Sequence, residues 1–369
     1  MEFIIKREDL LKSLQLVSGA VERRQTMPIL SNVMLVVKDN HLSIVATDLE
    51  LELVGYINLE YPSKEQGRIT ASARKLIDIC KTLPDQAEIT LKTIGNRLIL
   101  QSGKSHFTLS TLPVEGFPSL EETAGQIEFS LPQSKLKNIL SRIYFSMAQG
   151  DVRYYLNGMS FDFDKKALKL VTADGHRLSL ASFVDKNIPE HSIQVVVPQK
   201  GIMELMRLLA DVEKKAKFVI CTNHIRVETE DFTFTSKLID TKCPNYMSVI
   251  PKNGDKTAVI NRNLLKQALT RVSILSNEKY RGVYLVLTKN VLRLFANNPE
   301  QEEAEEEMAI DYQGTDLEIG FNAGYLLDIC NAVTASDLAM IFSSPSDGVL
   351  IEGVGDKRNY IYVVMPLQI

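Results

Sequence analysis

The chain repeats itself, and a repeat constrains architecture more than any single motif. Residues 73–80 read Ala-Arg-Lys-Leu-Ile-Asp-Ile-Cys and residues 323–330 read Ala-Gly-Tyr-Leu-Leu-Asp-Ile-Cys, identical at five of eight positions. Between them, residues 199–206 (Gln-Lys-Gly-Ile-Met-Glu-Leu-Met) carry similar apolar spacing, so Ala73, Gln199 and Ala323 are offset by 126 and 124 residues. Leu10, Leu136 and Leu264 give offsets of 126 and 128. The runs ending at Asp48, Asp174 and Asn298 give 126 and 124. One third of 369 residues is 123, so three copies fill the chain.

Each copy has the same internal order. A short strand (3–5, 128–131, 258–260) leads into an amphipathic helix (8–18, 133–144, 262–274) with apolar residues at i, i+3, i+4 and i+7. In the third copy Leu264, Leu265, Ala268, Leu269 and Val272 form that stripe. Alternating strands joined by tight polar turns follow (33–37 with 42–46, 158–163 with 168–172, 283–287 with 291–296). A second helix (73–82, 199–210, 323–333) precedes a closing group of strands. The expected fold class is α+β: three similar domains, each of about eight strands and two helices. Polar, glycine-containing stretches near 121–126 and 252–257 set the domains at 1–124, 125–253 and 254–369.

Composition excludes several classes. Four cysteines (Cys80, Cys221, Cys243, Cys330) with no C-x-x-C pair make neither a disulfide scaffold nor a zinc ribbon. The early charges of the N-terminus are unlike a signal peptide, and no apolar run is long enough for a membrane span, so a cytoplasmic, reduced protein with no membrane partner is expected. The net charge of −4 argues against a surface that grips nucleic acid all over. The charge is unevenly spread, however. The six helical windows (6–24, 72–83, 133–142, 199–212, 262–271, 323–335) hold 16 Lys and Arg against seven Asp and Glu, a surplus of +9 that leaves −13 for everything else. Basic helices on an acidic body suit contact with phosphates through charge alone, without sequence preference.

The residues resemble the bacterial DNA polymerase III beta subunit family, the sliding clamps, from end to end. The resemblance is carried by Met-Pro-Ile-Leu-Ser-Asn (27–32), Ala-Thr-Asp-Leu-Glu (46–50), Phe-Ser-Met-Ala (145–148), Asp-Val-Arg-Tyr-Tyr-Leu-Asn-Gly (151–158), Ala-Asp-Gly-His-Arg-Leu (173–178), Ile-Leu-Ser-Asn-Glu-Lys (274–279), Ala-Asn-Asn-Pro-Glu-Gln-Glu-Glu-Ala (296–304) and Tyr-Val-Val-Met-Pro (362–366). It implies the DNA clamp fold: helices lining a central hole, antiparallel sheets outside, and a closed ring made by a head-to-tail homodimer. It implies a processivity factor that encircles duplex DNA without sequence specificity and tethers DNA polymerase III. A clamp loader complex, the polymerase catalytic subunit, translesion polymerases, mismatch repair and other replication proteins are the implied partners. The ring itself needs no cofactor and no metal, and no catalytic residue is expected.

By the same resemblance, the DNA-binding positions are Arg24, Arg74, Tyr154 and Tyr155, together with Gly150, where the family often has glutamine. Ordinary strand packing is the alternative for the tyrosines. The dimer interface sets Lys75, Arg97 and Lys104, with Phe107 and Leu109, against Ile274, Leu275 and the acidic residues Glu300, Glu302, Glu303 and Glu306. A partner-peptide pocket for short apolar peptides comprises Leu156, Ala173, Gly175, His176, Arg177, Leu178, Pro244, Ser248, Val249, Val363, Met365, Pro366 and Leu367. Ala173 and Ser248 stand where the family commonly has threonine and arginine.

Two leads toward chemistry fail on their own terms. Ser102-Gly-Lys-Ser105 would end a phosphate-binding loop only with glycine at position 98, which is Leu98, and with a helix after it, where the pattern reads as strand. Asp174 and His176 could form an acid–base pair, but no nucleophile accompanies them and the third copy has Asn298 instead. The five histidines show no zinc-ligand spacing. The rivals are a hydrolase built on Asp174 and His176, and a monomeric scaffold that never encircles DNA.

Overall fold

The structure, a computed structural model, describes residues 1–22, 27–120, 125–164, 166–186, 188, 190, 192–241, 243–252, 254–356 and 359–367. Arg24, one of the expected DNA contacts, lies outside the described residues.

The first copy runs β1 (Glu2–Lys6), α1 (Arg7–Val17), β2 (Asn32–Lys38), β3 (His41–Thr47), β4 (Leu51–Asn58), β5 (Gly67–Ser72), α2 (Ala73–Thr82), β6 (Glu88–Ile94), β7 (Arg97–Ser102) and β8 (Ser105–Ser110). The second runs β9 (Ile127–Pro132), α3 (Gln133–Ser141), β10 (Gly158–Asp164), β11 (Ala167–Ala173), β12 (Arg177–Val184), β13 (Ile193–Pro198), α4 (Gln199–Leu208), β14 (Lys215–Ile220), β15 (His224–Glu228) and β16 (Phe232–Lys237). The third runs β17 (Lys256–Asn261), α5 (Arg262–Val272), β18 (Gly282–Thr288), β19 (Val291–Asn297), β20 (Glu303–Ala309), β21 (Asp311–Tyr312), β22 (Leu317–Asn322), α6 (Ala323–Ala332), β23 (Asp337–Phe342), β24 (Val349–Gly353) and β25 (Tyr360–Val364). Eight strands and two helices recur, and the third copy adds the two-residue β21. Three helices stop two or more residues short of the expected ends: α3 gives way to a 3₁₀ turn at Tyr144–Ser146, α4 ends at Leu208, and α5 ends at Val272 before a 3₁₀ turn at Ser273–Leu275.

Pairing follows one rule. In every copy the first strand leads its last three, in the orders β1-β6-β7-β8, β9-β14-β15-β16 and β17-β23-β24-β25. The remaining strands form β5-β2-β3-β4, β13-β10-β11-β12 and β22-β18-β19-β20. Neighbouring copies then join edge to edge: β4 pairs antiparallel with β16 (Leu53 opposite Phe234), and β12 with β25 (Leu178 opposite Val363). These joints make an eight-stranded and a nine-stranded sheet, with β21 laid on β17, and leave two four-stranded sheets. The chain divides into two compact units, Met1–Gln133 with Arg207–Leu238, and Ser134–Met206 with Ile239–Ile369.

Within the first unit, α1 buries Leu10, Leu14 and Val17, and α2 buries Leu76, Ile79 and Cys80. Gly55 on β4 lets α1 approach closely, since a Cβ there would meet Ser13 Oγ at 2.4 Å. In the second unit, α5 and α6 drive Leu265, Leu269, Val272, Leu326 and Ile329 onto one face of the sheets, among Val283, Leu285, Met340 and Tyr362. Strand alternation sends Val171, Leu178, Leu180, Leu350 and Val363 to the opposite face, where they form a separate apolar cluster with Tyr246 and Ile250.

The repeat extends to helix caps. Arg7, first residue of α1, donates from Nε to Cys80 O at the end of α2 (2.7 Å). Its equivalent Arg262 donates from Nη1 to Cys330 O (3.2 Å) and Val333 O (2.9 Å) beyond α6. Gln133 reverses the sense, its Oε1 accepting from Ala210 N (3.1 Å). The guanidinium satisfies carbonyls that have no partner within their own helix, and its charge opposes the negative helix end. Arg262→Met is expected to cost about 1–3 kcal/mol of stability through those unpaired carbonyls, read by urea unfolding, with Arg262→Lys recovering part of the loss.

Candidate functional site

The apolar cluster on the free face of the nine-stranded sheet floors a cavity of about 300 Å³ in the second unit. Ala173, Leu178 and Val363 lie side by side across β11, β12 and β25, because each is directly opposite the next in register. The 3₁₀ turn Tyr154–Leu156 adds Tyr155 and Leu156, and the stretch from Cys243 through Val249 forms the other wall. Ten of the expected pocket residues line it: Leu156, Ala173, Gly175, Arg177, Leu178, Pro244, Ser248, Val249, Val363 and Met365. Val249 and Met365 are exposed, so apolar surface is presented at the mouth.

The rim is set by one aspartate. Asp174 Oδ1 accepts from His176 N (2.9 Å) and Arg177 N (3.0 Å), and its Oδ2 accepts from Arg177 Nε (3.0 Å). Gly175 sits between them at φ +91°, a conformation glycine adopts without strain. Arg177 then spans the neighbourhood, donating from Nη1 to Asp328 Oδ2 on α6 (2.6 Å) and from Nη2 to Phe145 O (2.6 Å), with its guanidinium 4.4 Å from the Tyr325 ring centroid. His176 O accepts from Met365 N (2.8 Å), which ties the turn to the C-terminal wall. The Asp174 carboxylate is therefore committed to backbone and guanidinium, and the His176 ring stacks on Tyr325 (6.4 Å) rather than facing a nucleophile. That geometry leaves the hydrolase reading without an acid–base pair.

Three expected pocket residues stand apart. His176 borders a second, wider depression with Gln149, Gly150, Lys200 and Tyr325. Leu367 donates its N–H to Gly320 O (2.8 Å) and lies against Gly282, away from the cavity, and Pro366 is absent from its lining. Tyr155, an expected DNA contact, is half-buried and lines the cavity, whereas Tyr154 is 71% exposed. Gly150 is exposed at φ +69°, and Arg74 is exposed on α2 beside Asp78.

The lining also includes Arg153, Gly158, Ser160, Val171, Cys243, Asn245 and Tyr246, none of which is among the expected pocket residues. Strand alternation could have found three of them: Gly158 and Ser160 share a face of β10, and Val171 precedes Ala173 by two on β11. Arg153 is held by Asp151 (Nη2 to Oδ2, 2.8 Å), and that guanidinium pulls the Asp151 carboxyl down to about 2. Tyr246 donates its hydroxyl to Asp162 Oδ2 (2.5 Å); burial and then that carboxylate push its ionisation well above the ordinary phenol range.

Of the expected interface residues, Lys75, Arg97 and Lys104 are exposed in the first unit, Phe107 is half-buried and Leu109 buried. In the second unit Ile274 is 73% exposed and Leu275 half-buried. Glu300, Glu302 and Glu303 are exposed, while Glu306 turns inward to a bidentate pair with Arg271 of α5 (Nη2 to Oε2, 2.8 Å). Among the described residues no group of three or more His, Cys, Asp or Glu could hold a metal ion, and no helix is long and apolar enough to cross a membrane.

Replacing Arg177 by Met would strip Asp174 and Asp328 of their shared cation and loosen the rim. The expected result is a stability loss of about 3 kcal/mol, seen as a lower melting temperature, with Arg177→Lys intermediate because a point charge cannot replace the fork.

Three family models match in chain order: the N-terminal domain of the DNA polymerase III beta subunit over residues 1–121, the central domain over 130–245 and the C-terminal domain over 247–368. The beta sliding clamp of Pseudomonas putida is 51% identical over 369 residues, covering all of both chains. The crystal structure of the DNA polymerase III subunit beta from Pseudomonas aeruginosa superposes with a TM-score of 0.97 at 48% identity, again over the full length of both. A sliding clamp of that organism bound to griselimycin matches equally well, with a TM-score of 0.97 at 49% identity and full coverage of both chains. With likeness of sequence and of three-domain clamp fold extending along its whole length, the chain belongs to the DNA polymerase III beta subunit family, the beta sliding clamps.

Proposed function

We propose that this clamp acts by enclosure: two copies join head to tail around duplex DNA, and the ring tethers DNA polymerase III to its template. The single observation that carries the reading is the pairing rule. Each copy's fourth strand pairs with the next copy's last strand, β4 with β16 and β12 with β25, which leaves β20 and β8 without a counterpart. An unpaired edge is a template for another strand. The missing joint is therefore β20 of one protomer against β8 of its partner, made twice in a dimer. Charge supports it, since β20 carries Glu303, Glu305, Glu306 and Glu307 while Arg97 and Lys104 flank β8. Lys75, Glu300 and Glu302 extend that complementarity, and Ile274 and Leu275 supply apolar area for Phe107 and Leu109. Glu306 is already satisfied by Arg271, so it supports the edge from within and adds little steering.

The proposed domains are 1–124, 125–253 and 254–369, and the pairing rule supports them in that each would own one half-sheet of each kind. The basic helix faces are the surface turned to DNA. On α5 this face is Asn263, Lys266, Gln267, Thr270 and Arg271, and α2 presents Arg74 and Lys75. Arg24, Gly150, Tyr154 and Tyr155 are the further proposed contacts, Tyr155 shared with the cavity wall. Enclosure makes weak phosphate contact sufficient, because leaving requires the ring to open. The proposed clamp works in the cytoplasm and needs a separate loader to open it.

The cavity around Leu178, Val363 and Met365 is the proposed partner site. It receives extended apolar peptide segments from the polymerase catalytic subunit, translesion polymerases, mismatch repair proteins and the loader. His176, Pro366 and Leu367 lie outside the cavity and belong to an extension of the peptide path.

Enclosure predicts that clamp loaded on nicked circular DNA stays bound and runs off once that DNA is cut to a linear form; equal loss from both would defeat the mechanism. In sedimentation the chain should run at twice 41.4 kDa, and Ile274→Asp with Leu275→Asp should return it to 41.4 kDa with its fold intact by circular dichroism.

A further inference from the structure

The two strand joints inside the chain share one register. Ala46, Thr172 and Ala296 stand two residues before Asp48, Asp174 and Asn298, and they lie opposite Leu53, Ser179 and Ala304. Phe3, Phe129 and Ala258 stand four residues before the first residues of α1, α3 and α5. Following their cross-strand neighbours to the last strand of each copy leads to Phe107, Phe234 and Tyr362. Leu53 faces Phe234 where β4 meets β16, and Ser179 faces Tyr362 where β12 meets β25. Equivalent positions thus meet at both joints. Carried to β20 and β8, the same register sets Ala304 opposite Phe107 of the partner subunit. A slip of one residue would set that half-buried ring against exposed Glu303 or Glu305.

On the exposed face the register continues as Glu303 with Thr108, Glu305 with His106 and Glu307 with Lys104. Arg293 of β19 is committed to Glu307 (2.8 Å), and among the described residues neither Glu303 nor Glu305 forms an ion pair. His106 then has one carboxylate directly opposite and one on each diagonal, within reach of a long side chain. In its own protomer the neighbours on that face are Lys104 and Thr108 of β8 and the uncharged Gln101 and Ile99 of β7. Beyond them β6 carries Glu88 and Lys92, the latter bonded to Glu2 (2.8 Å). Behind β20 the facing residues of β19 are Arg293, Phe295 and Asn297.

We propose that His106 is an interface residue whose protonation tightens the ring, its imidazolium seated among Glu303, Glu305 and Glu307 of the neighbouring protomer. The inference rests on the head-to-tail reading. Histidine changes charge between about pH 8 and 5, and carboxylates that meet it only in the dimer favour its charged form there. Closing a joint therefore takes up protons. The gain is fully present where His106 is charged in the separate protomers as well, and it is lost as pH rises through the range in which the dimer releases that proton. A cross-strand pair of opposite charges is worth about threefold in an equilibrium, so two joints make about tenfold.

The experiment measures the dimer dissociation constant of the full-length chain by fluorescence-detected sedimentation at pH 8, 7 and 6 and constant ionic strength. Wild type is expected to tighten about tenfold from pH 8 to pH 6. His106→Gln should keep its pH 8 value throughout, which separates this residue from the other four histidines. His106→Arg, charged at every pH, should bind at pH 8 as tightly as wild type does at pH 6. Glu303→Gln combined with Glu305→Gln should flatten the wild-type dependence, since the register places those carboxylates on the imidazole. A wild-type constant that does not move with pH, or a dependence that survives in His106→Gln or in the double glutamine variant, overturns the proposal and leaves the ring standing. A chain that stays monomeric at micromolar concentration at all three pH values overturns the ring, and the proposal with it.

Discussion

An antiparallel edge must find a partner or be protected, because its unpaired N–H and C=O groups otherwise invite any passing strand. In this chain that requirement organises everything above the level of the single copy. A copy owns two half-sheets, and the chain joins their edges twice internally, through β4–β16 and β12–β25. The side chains at these joints alternate as in any sheet, so a joint does more than link copies. At β12–β25 it brings Leu178 and Val363 together and thereby lays the floor of the candidate site. The site is a product of the seam.

The helices answer a different need. Each pair covers one face of its sheets with a narrow apolar stripe and is locked by a first-turn side chain reaching to the end of the second helix, as Arg7 and Arg262 do. This leaves the outward helix faces free of packing duties, and on every helix but α6 those faces carry Lys or Arg. Exposed charge and core packing thus occupy opposite sides of the same short segments, and several of those cations are paired, Arg74 with Asp78, Lys135 with Asp185 and Arg271 with Glu306.

Much of this could be read before any coordinates. The threefold period, six helices and most strand positions follow from apolar spacing, because burial enforces a period of two on strands and 3.6 on helices. What escaped was governed by local competition. Helix α3 ends early where Arg142 begins a tighter turn, and the two-residue β21 is too short to carry a pattern. At the site, family motifs name the rim and the exposed apolar residues well. They miss Ser160, Cys243 and Tyr246, which reach the cavity only through register and through a loop distant in sequence. They also include His176, which the turn at Asp174 sends toward Tyr325 instead.

Two glycines in the cavity wall carry a consequence for how far that wall can vary. A methyl group at Gly158 would lie 2.3 Å from Val197 O, and one at Gly175 would meet the Arg153 guanidinium at 2.6 Å in a backbone conformation that side chains resist. Neither position can be enlarged without moving main chain or an anchored arginine. A compound that draws its affinity from the backbone at these two points would press on atoms that resistance mutations cannot reshape, whereas one leaning on Ser248 or Val249 would meet a wall free to change.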